Sequence, residues 1–282
     1  MREQAQGTAG IVLAGGRSRR MGTPKASLEW HGSTLLRRAV GLVGRAVDGP
    51  VVVVRAPGQE LAPLPPDVEV AEDAREGRGP LQGIAAGLAQ IGDRAAIVYV
   101  TGVDAPLLHP AFVRHLVRSL GPDDDVALPR AHGFAQPLAA AYRTAIAPCL
   151  QALIERDRLG TSALFAELRV RELDEPALLG DVDVATLDPV LDSLRNLNEP
   201  GEYESARARP APRVTVRMPA DPRPRAVRAA TLAAAAAAAG VTLGSAIVAD
   251  LDGHGVVDDP HEPLVAGDAL TFRPARDARA AR

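Results

Sequence analysis

Gly10-Ile-Val-Leu-Ala14 runs without a break into Gly15-Gly-Arg-Ser-Arg-Arg-Met-Gly-Thr-Pro-Lys25. The first part is a short apolar run bounded by glycine, the pattern of a buried parallel strand. A glycine pair at the end of such a strand lets backbone N–H groups approach a ligand with no Cβ in the way. Amides arranged like this form a concave anion site. Arg17, Arg19, Arg20 and Lys25 place four positive charges within nine residues, in a chain whose net charge is −3. That concentration calls for a polyanion. Neither G-x-x-x-x-G-K-[ST] nor G-x-G-x-x-G is present, so the loop is not one of the two common phosphate fingerprints. Lys25 is also the only lysine among 32 basic residues. A lysine carries a compact charge on a flexible stem, whereas a guanidinium is a rigid planar fork.

Outward from this loop, apolar runs alternate with helical patterns through the first two hundred residues. The runs Ile11–Ala14, Val51–Val54, Ala96–Val100, Val126–Leu128 and Pro137–Tyr142 read as strands. Thr34–Val47, Gly83–Ile91, Pro110–Leu120, Thr144–Glu155 and Pro200–Ala208 read as helices. Such alternation predicts an α/β fold with a mostly parallel sheet and helices on both faces. Ligands bind such sheets at the carboxyl ends of the strands, where the glycine loop lies. With 3% aromatic residues the core must be built from Val, Leu, Ile and Ala. One cysteine, Cys149, excludes an intrachain disulfide and a cysteine metal cluster. No leader or membrane-length apolar run is evident, so a cytoplasmic protein without a membrane partner is expected.

Composition changes near 207–225, where Pro and Arg dominate, as in a linker or domain edge. From Arg207 onward, 11 arginines face 8 acidic residues, +3, while the remainder carries −6. No aromatics interleave with these arginines, so no nucleic-acid partner is expected. A strand at Val214–Met218, an alanine-rich helix at about Ala226–Ala239, a strand at Ala246–Asp250, an L-D-G-H-G turn and a strand at Ala269–Phe272 suggest a small α+β module. A semi-ordered appendage is the other reading, because an alanine helix buries little area.

Three further segments bear on chemistry. Gly79-Pro-Leu-Gln-Gly83, after Glu72-Asp73, brackets a turn that opens a helix, either an anion-facing N-terminus or an ordinary capped turn. Val98-Tyr-Val-Thr-Gly-Val-Asp-Ala-Pro106 ends a strand with Asp104 at its tip. A carboxylate there can hold Mg²⁺, which takes one or two carboxylates plus phosphate oxygens. Arg195-Asn-Leu-Asn-Glu-Pro-Gly201 places two amides at alternating positions before a helix, suited to a metal or phosphate, or to a helix cap at Asn198.

L-A-G-G-R-S-R-R-M-G at 13–22 with Lys25, G-P-L-Q-G at 79–83, D-A-P at 104–106, Q-P-L at 136–138 and N-L-N-E-P at 196–200 together resemble the molybdenum cofactor guanylyltransferase family. That family lies within the nucleotidyltransferases of sugar-nucleotide type, and the resemblance covers about residues 8–206. It implies a Rossmann-like nucleotidyltransferase domain at 1–208 that transfers GMP from GTP to molybdopterin and releases pyrophosphate. Leu13, Ala14, Gly15 and Gly16 would line the nucleotide, with Asp73 and Gly83 on the same side. Lys25, with Arg19 or Arg20, would neutralise the triphosphate. Asp104 would hold Mg²⁺ with Asn198 as helper. Two positions depart from the pattern. Val54-Arg55 stands where the family often has Asn, and Thr23-Pro24 precedes Lys25 where Asp is common. The proline resembles cytidylyl-transferring relatives. A cytidylyltransferase, another nucleotidyltransferase or a non-catalytic cofactor-delivery protein are the alternatives. The region from Arg213 to Pro274 resembles a β-grasp domain of sulfur-carrier type, chiefly through Gly267-Asp268 and the closing strand. Such carriers end in Gly-Gly, but this chain ends R-D-A-R-A-A-R. Residues 209–282 are therefore expected to be a small docking domain, with a disordered C-terminal tail, for molybdopterin synthase or a molybdoenzyme.

Overall fold

The computed structural model describes residues 7–15, 24–73, 77–131, 133–218, 221, 223–244, 247–252 and 255–275. The C-terminal tail lies outside them. The chain divides into two compact units, Met1–Leu28 with Leu35–Pro200, and Glu29–Thr34 with Gly201–Arg282.

In chain order the elements are β1 (Thr8–Leu13), β2 (Glu29–Trp30), β3 (Ser33–Thr34), α1 (Leu35–Gly44), β4 (Val51–Arg55), β5 (Glu69–Glu72), α2 (Pro80–Ile91), β6 (Ile97–Gly102), α3 (Pro110–Ser119), β7 (Val126–Ala131), β8 (Phe134–Ala135) and β9 (Ala139–Arg143). They continue with α4 (Ala147–Glu155), α5 (Thr161–Phe165), β10 (Val170–Leu173), α6 (Glu175–Leu179), α7 (Val182–Leu187), α8 (Pro200–Arg207), β11 (Arg213–Arg217), β12 (Arg225–Arg228), α9 (Leu232–Ala239), β13 (Ile247–Leu251), β14 (Val256–Val257) and β15 (Ala269–Pro274).

Among the described residues the first unit builds an eight-stranded sheet in the order β10-β7-β9-β6-β1-β4-β5, with β8 beside β7. Pairing is parallel from β6 through β5 and between β10 and β7, while β9 runs antiparallel to both its neighbours. The mostly parallel α/β sheet expected from the alternation is therefore present. From β1 the chain moves to β4 and β5 on one side, then crosses back to β6 on the other. The crevice between the tips of β1 and β6 is thus a topological switch point, where open α/β sheets receive ligands.

Glycines set how closely the two helical layers approach β1. A Cβ on Gly10 would come within 2.2 Å of the Val43 side chain on α1, and one on Gly87 of α2 within 2.8 Å of Ile11. Each is a position where a strand and a helix touch through the missing side chain. The core then fills with β-branched and aliphatic residues, including Ile11, Val52, Val54, Leu81, Ile84, Val98 and Val100, all essentially inaccessible.

In the second unit a five-stranded sheet runs β12-β11-β15-β13-β14, with β11 and β15 parallel and the other pairs antiparallel. Helix α9 supplies Leu232, Ala235, Ala236 and Ala239 to a core with Val214, Val216, Leu270 and Phe272. The predicted helix over Ala226–Ala239 is shorter. Residues Arg225–Arg228 pair with β11 as a strand, and the helix begins only after Thr231, whose side chain caps the Ala234 amide. The α2 helix likewise starts at Pro80 rather than Gly83, because Gly79 adopts φ 90° as its N-cap and proline suits the first helical position.

Asp125 fastens the β10 edge. Its carboxylate accepts from the Arg169 amide at 2.9 Å and from the Arg169 guanidinium at 3.1 and 2.9 Å. Those guanidinium hydrogen bonds hold the Asp125 carboxyl below the usual carboxylate range, against the effect of burial. A depressed folded-state pKa contributes stability above the unfolded value and loses it as pH falls through the folded one. Asp125→Asn should therefore lower the unfolding temperature at about pH 6, and the difference from wild type should shrink towards about pH 3. Thermal scans at both pH values check this; a constant difference would contradict it.

Candidate active site

At the switch point a cleft of about 380 Å³ is lined by Leu13, Ala14 and Gly15 after β1, Val54 and Arg55 at the end of β4, Asp73, Gly79 and Gly83 near α2, Gly102 and Asp104 after β6, and Leu138. Lys25 faces it from a 3₁₀ turn, Lys25–Ser27. Seven of these residues, Leu13, Ala14, Gly15, Lys25, Asp73, Gly83 and Asp104, were expected from the sequence, although they come from four separate segments of the chain.

The Lys25 ammonium is the meeting point of the cleft. Its Nζ lies 3.2 Å from Asp104 Oδ2 and donates to Asn198 Oδ1 at 2.9 Å. Both members of the ion pair are largely shielded, with side chains 16% and 25% exposed, so the attraction is less screened than at an open surface. Two local devices bring the oxygens there. Gly102 ends β6 without a Cβ, and a Cβ would stand 2.5 Å from Asp104 Oδ1; the carboxylate folds back into that space. The Leu197 amide then donates to the Asp104 carbonyl at 2.8 Å, and Leu197 is buried. N-L-N is thus an anchor flanked by two outward amides, of which Asn198 reaches Lys25. Gly102 and Leu197 lie inside the quoted segments, but neither was given a role there, since the importance of each depends on where Asp104 lies.

The opposite wall is built by polar cross-links. Gln59 Nε2 donates to the Ala14 carbonyl at 3.1 Å, and Gln59 Oε1 accepts from the Ala56 amide at 2.9 Å. Arg55 turns its guanidinium to Glu72 at 3.1 Å and to the Gln59 carbonyl at 3.1 Å. The Asp73 amide donates to the Arg55 carbonyl, which sets Asp73 at the rim. The amides of Ala14 and Gly15 both donate to the Val54 carbonyl, at 2.8 and 3.2 Å. They are engaged by the sheet rather than directed at an anion. Gly15 allows a close approach instead, because a Cβ would lie 3.1 Å from the Ala56 nitrogen, a tight contact with backbone. Gly83 lies inside α2 and packs on Leu13, where a Cβ would come within 3.0 Å.

Of the expected site residues, Leu13, Ala14, Gly15, Lys25, Asp73, Gly83 and Asp104 line one cleft, and Asn198 joins them through Lys25. Gly16, Arg19 and Arg20 lie outside the described residues. Asp104 and Asn198 offer hard oxygen donors converging on one cation, the donor set suited to an ion such as Ca²⁺ or Mg²⁺. Among the described residues no group of three or more His, Cys, Asp or Glu is placed to hold a metal.

A glycine-edged cleft at the switch point of a mostly parallel sheet, with Lys25, Asp104 and Asn198 gathered together, defines a Rossmann-like α/β protein. Residues 10–172, more than half of the chain, match the MobA-like NTP transferase domain, and the chain belongs to that family. It is 41% identical over 160 residues to proteins described as "Probable molybdenum cofactor guanylyltransferase" in Mycobacterium ulcerans and Mycobacterium marinum; the matched part is 55% of this chain and 78% of each relative. The structure of molybdopterin-guanine dinucleotide biosynthesis protein A from Archaeoglobus fulgidus superposes with a TM-score of 0.57 at 21% identity, covering 71% of this chain and 96% of that one. At that identity the likeness is one of fold.

Gly102→Ala should displace the Asp104 carboxylate from Lys25 while leaving β6 paired. We expect nucleoside triphosphate binding to weaken roughly 10-fold or more, the size of losing a charge-assisted hydrogen bond. Isothermal titration of wild type and variant, with unfolding curves for both, checks this; equal affinities would remove Gly102 from the site.

Proposed function

We propose that this chain is a molybdenum cofactor guanylyltransferase. A terminal phosphate oxygen of molybdopterin attacks the α-phosphorus of GTP, a new P–O–P bond forms, the bond between the α-phosphorus and its bridging oxygen breaks, and pyrophosphate leaves. The observation that carries this reading is the Lys25 ammonium held by Asp104 and Asn198 at the mouth of a cleft sized for a nucleotide. The mycobacterial relatives support it by name.

Phosphoryl transfer asks little covalent work of a protein; positioning and charge stabilisation dominate. Lys25 would lie against the leaving pyrophosphate, with Arg19 or Arg20 beside it. Leu13, Ala14, Gly15 and Gly16 would border the nucleotide, and Asp73 and Gly83 would complete that wall. The oxygens that now hold the ammonium fit Mg²⁺, with Asp104 as the anionic ligand and Asn198 as the neutral one, and phosphate oxygens supplying the rest. Such an ion would supply charge neutralisation at the α-phosphate. Arg55, tied to Glu72, would face the base at the position where the family pattern often has Asn, so the choice of GTP over CTP is the finest part of the proposal.

Residues 209–282 are proposed as a β-grasp-like docking domain appended to a transferase domain of 1–208. A strand order with the first and last strands, β11 and β15, parallel at the centre, β12 beyond the first and β13 beyond the last, and one helix packed into the core, supports this. Molybdopterin synthase or a molybdoenzyme is the proposed partner.

Pyrophosphate release from GTP, CTP, ATP and UTP, each with Mg²⁺ and with or without molybdopterin, tests the reaction. Release from GTP only in the presence of molybdopterin is expected. Release from CTP instead would make the chain a cytidylyltransferase, and silence with all four would leave a binding role. Lys25→Ala should lower kcat by roughly 10²–10³-fold, as loss of one preorganised charge stabiliser does. Asp104→Ala should abolish Mg²⁺-dependent turnover.

A further inference from the structure

Asn198 reaches Lys25 from the end of the segment that leaves α7, and that segment is rooted on a buried carboxylate. Helix α7 ends at Leu187, and the next residue, Asp188, is only 5% exposed. Its Oδ1 accepts from the Asp192 amide at 2.7 Å and its Oδ2 from the Ser193 amide at 3.1 Å. These amides open a 3₁₀ turn, Asp192–Leu194, and the start of a helical turn leaves such groups without partners of their own. Leu191 enters the turn at φ 53°, a left-handed conformation that residues with a Cβ rarely adopt. Burial pushes the Asp188 carboxyl up, while hydrogen bonds from the Ser193 hydroxyl and from the two amides work against that.

Ser193, with no exposed surface, extends this anchor to the other side of the site. Its Oγ accepts from the His109 amide at 2.9 Å. A hydroxyl that accepts still has its own proton to donate, and the Asp188 carboxylate receives it. Further along, the Leu197 amide donates to the Asp104 carbonyl at 2.8 Å. From Ser193 to Leu197 the partner moves back from His109 to Asp104, so the two segments run side by side in opposite directions. The Asp104–His109 stretch is itself tied down. His109 caps α3 by accepting from the Ala111 amide at 3.1 Å, and the buried Arg38 donates to the Pro106 carbonyl at 2.6 Å. All of these residues belong to the first unit.

We infer that Asp188 and Ser193 are positioning residues for the Asn198 side chain. The rungs at Ser193 and Leu197 fix how the two segments lie against each other, and Asp104 and Asn198 thereby converge on one ammonium at 3.2 and 2.9 Å. Losing the Ser193 rung shifts its load to the Leu197 bond, next to Asn198. Neither Asp188 nor Ser193 lines the cleft, so both act through Asn198. The nucleotide arm of the test rests on the proposed guanylyl transfer; the exchange arm does not.

The experiment compares full-length wild type with Ser193→Ala, Asp188→Asn and Asp188→Ala by hydrogen exchange at the Leu197 amide, with β4 amides as the internal reference. Ser193→Ala leaves the His109 amide without its acceptor and should speed Leu197 exchange roughly 10-fold, the size of one unsatisfied buried group, with β4 unchanged. Asp188→Asn keeps one acceptor oxygen and should fall between wild type and Asp188→Ala. Unchanged Leu197 exchange in Ser193→Ala overturns the inference, as does an equal acceleration in β4, because that is plain destabilisation. GTP affinity, measured by isothermal titration with Mg²⁺, closes a double-mutant cycle. Ser193→Ala should weaken binding roughly 3- to 10-fold in wild type and change it little in an Asn198→Ala background. Equal losses in both backgrounds overturn the inference, since Ser193 would then act by another route than Asn198. If wild type binds no GTP, the guanylyltransferase reading fails while the exchange result still decides the positioning.

Discussion

One ammonium group organises this molecule. Lys25 draws oxygens from the loop after β6 and from the segment before α8 onto a single point, and it belongs itself to the segment after β1. These stretches are distant in sequence. What brings them together is the sheet order, because β1 and β6 are neighbours only after the chain reverses direction across β1. The requirement that β1 be buried on both faces follows from the same order. It explains why glycine appears at Gly10 and Gly87, where the α1 and α2 layers close on that strand. The site is therefore a consequence of the crossover, and the crossover is stabilised by the aliphatic core beneath it.

The parts of the fold that were legible share one physical property. Val51–Val54 and Val98–Val100 are buried on both faces, so their sequence is a continuous apolar run. The edge strands β5 and β10 read E-V-A-E and V-R-E-L. With at least one face towards water they lose that run and carry no distinct signature. Arg225–Arg228 suffers the same ambiguity, since R-A-V-R suits an exposed edge strand and an alanine-rich helix equally until β11 is there to pair with it.

In the site, legibility divides along a similar line. Glycine, lysine and aspartate at strand ends announce themselves because their chemistry is local. Gln59 does not, because its function is to bridge the Ala14 carbonyl and the Ala56 amide, two groups that become neighbours only in the folded sheet. Gly102 is silent for the same reason: the space above it matters only once the Asp104 carboxylate turns into it. The His31-Gly32 turn is a subtler case. Two consecutive positive-φ residues in a two-residue loop usually advertise themselves as Asn-Gly or Asp-Gly, and histidine in the first place conceals the hairpin.

The solitary lysine can now be given a geometric reason. A guanidinium presents its donors in one plane, matched to a carboxylate or phosphate approached edge-on. At Lys25 the acceptors are single oxygens of two different side chains, one from each of two loops, at 3.2 and 2.9 Å. Three rotatable donors on a tetrahedral nitrogen can meet two such acceptors and still adapt as a phosphate arrives, which a rigid fork cannot do without dragging its plane. Among the described residues, arginine makes ion pairs such as Arg169 with Asp125 and Arg94 with Glu69, where the planar fork meets one carboxylate. A chain that otherwise uses arginine for positive charge keeps lysine at the position where one cation meets single oxygens of two different side chains. Lys25→Arg would preserve the charge but replace a compact ammonium on a flexible stem with a larger planar fork, so the position tests compactness as well as charge.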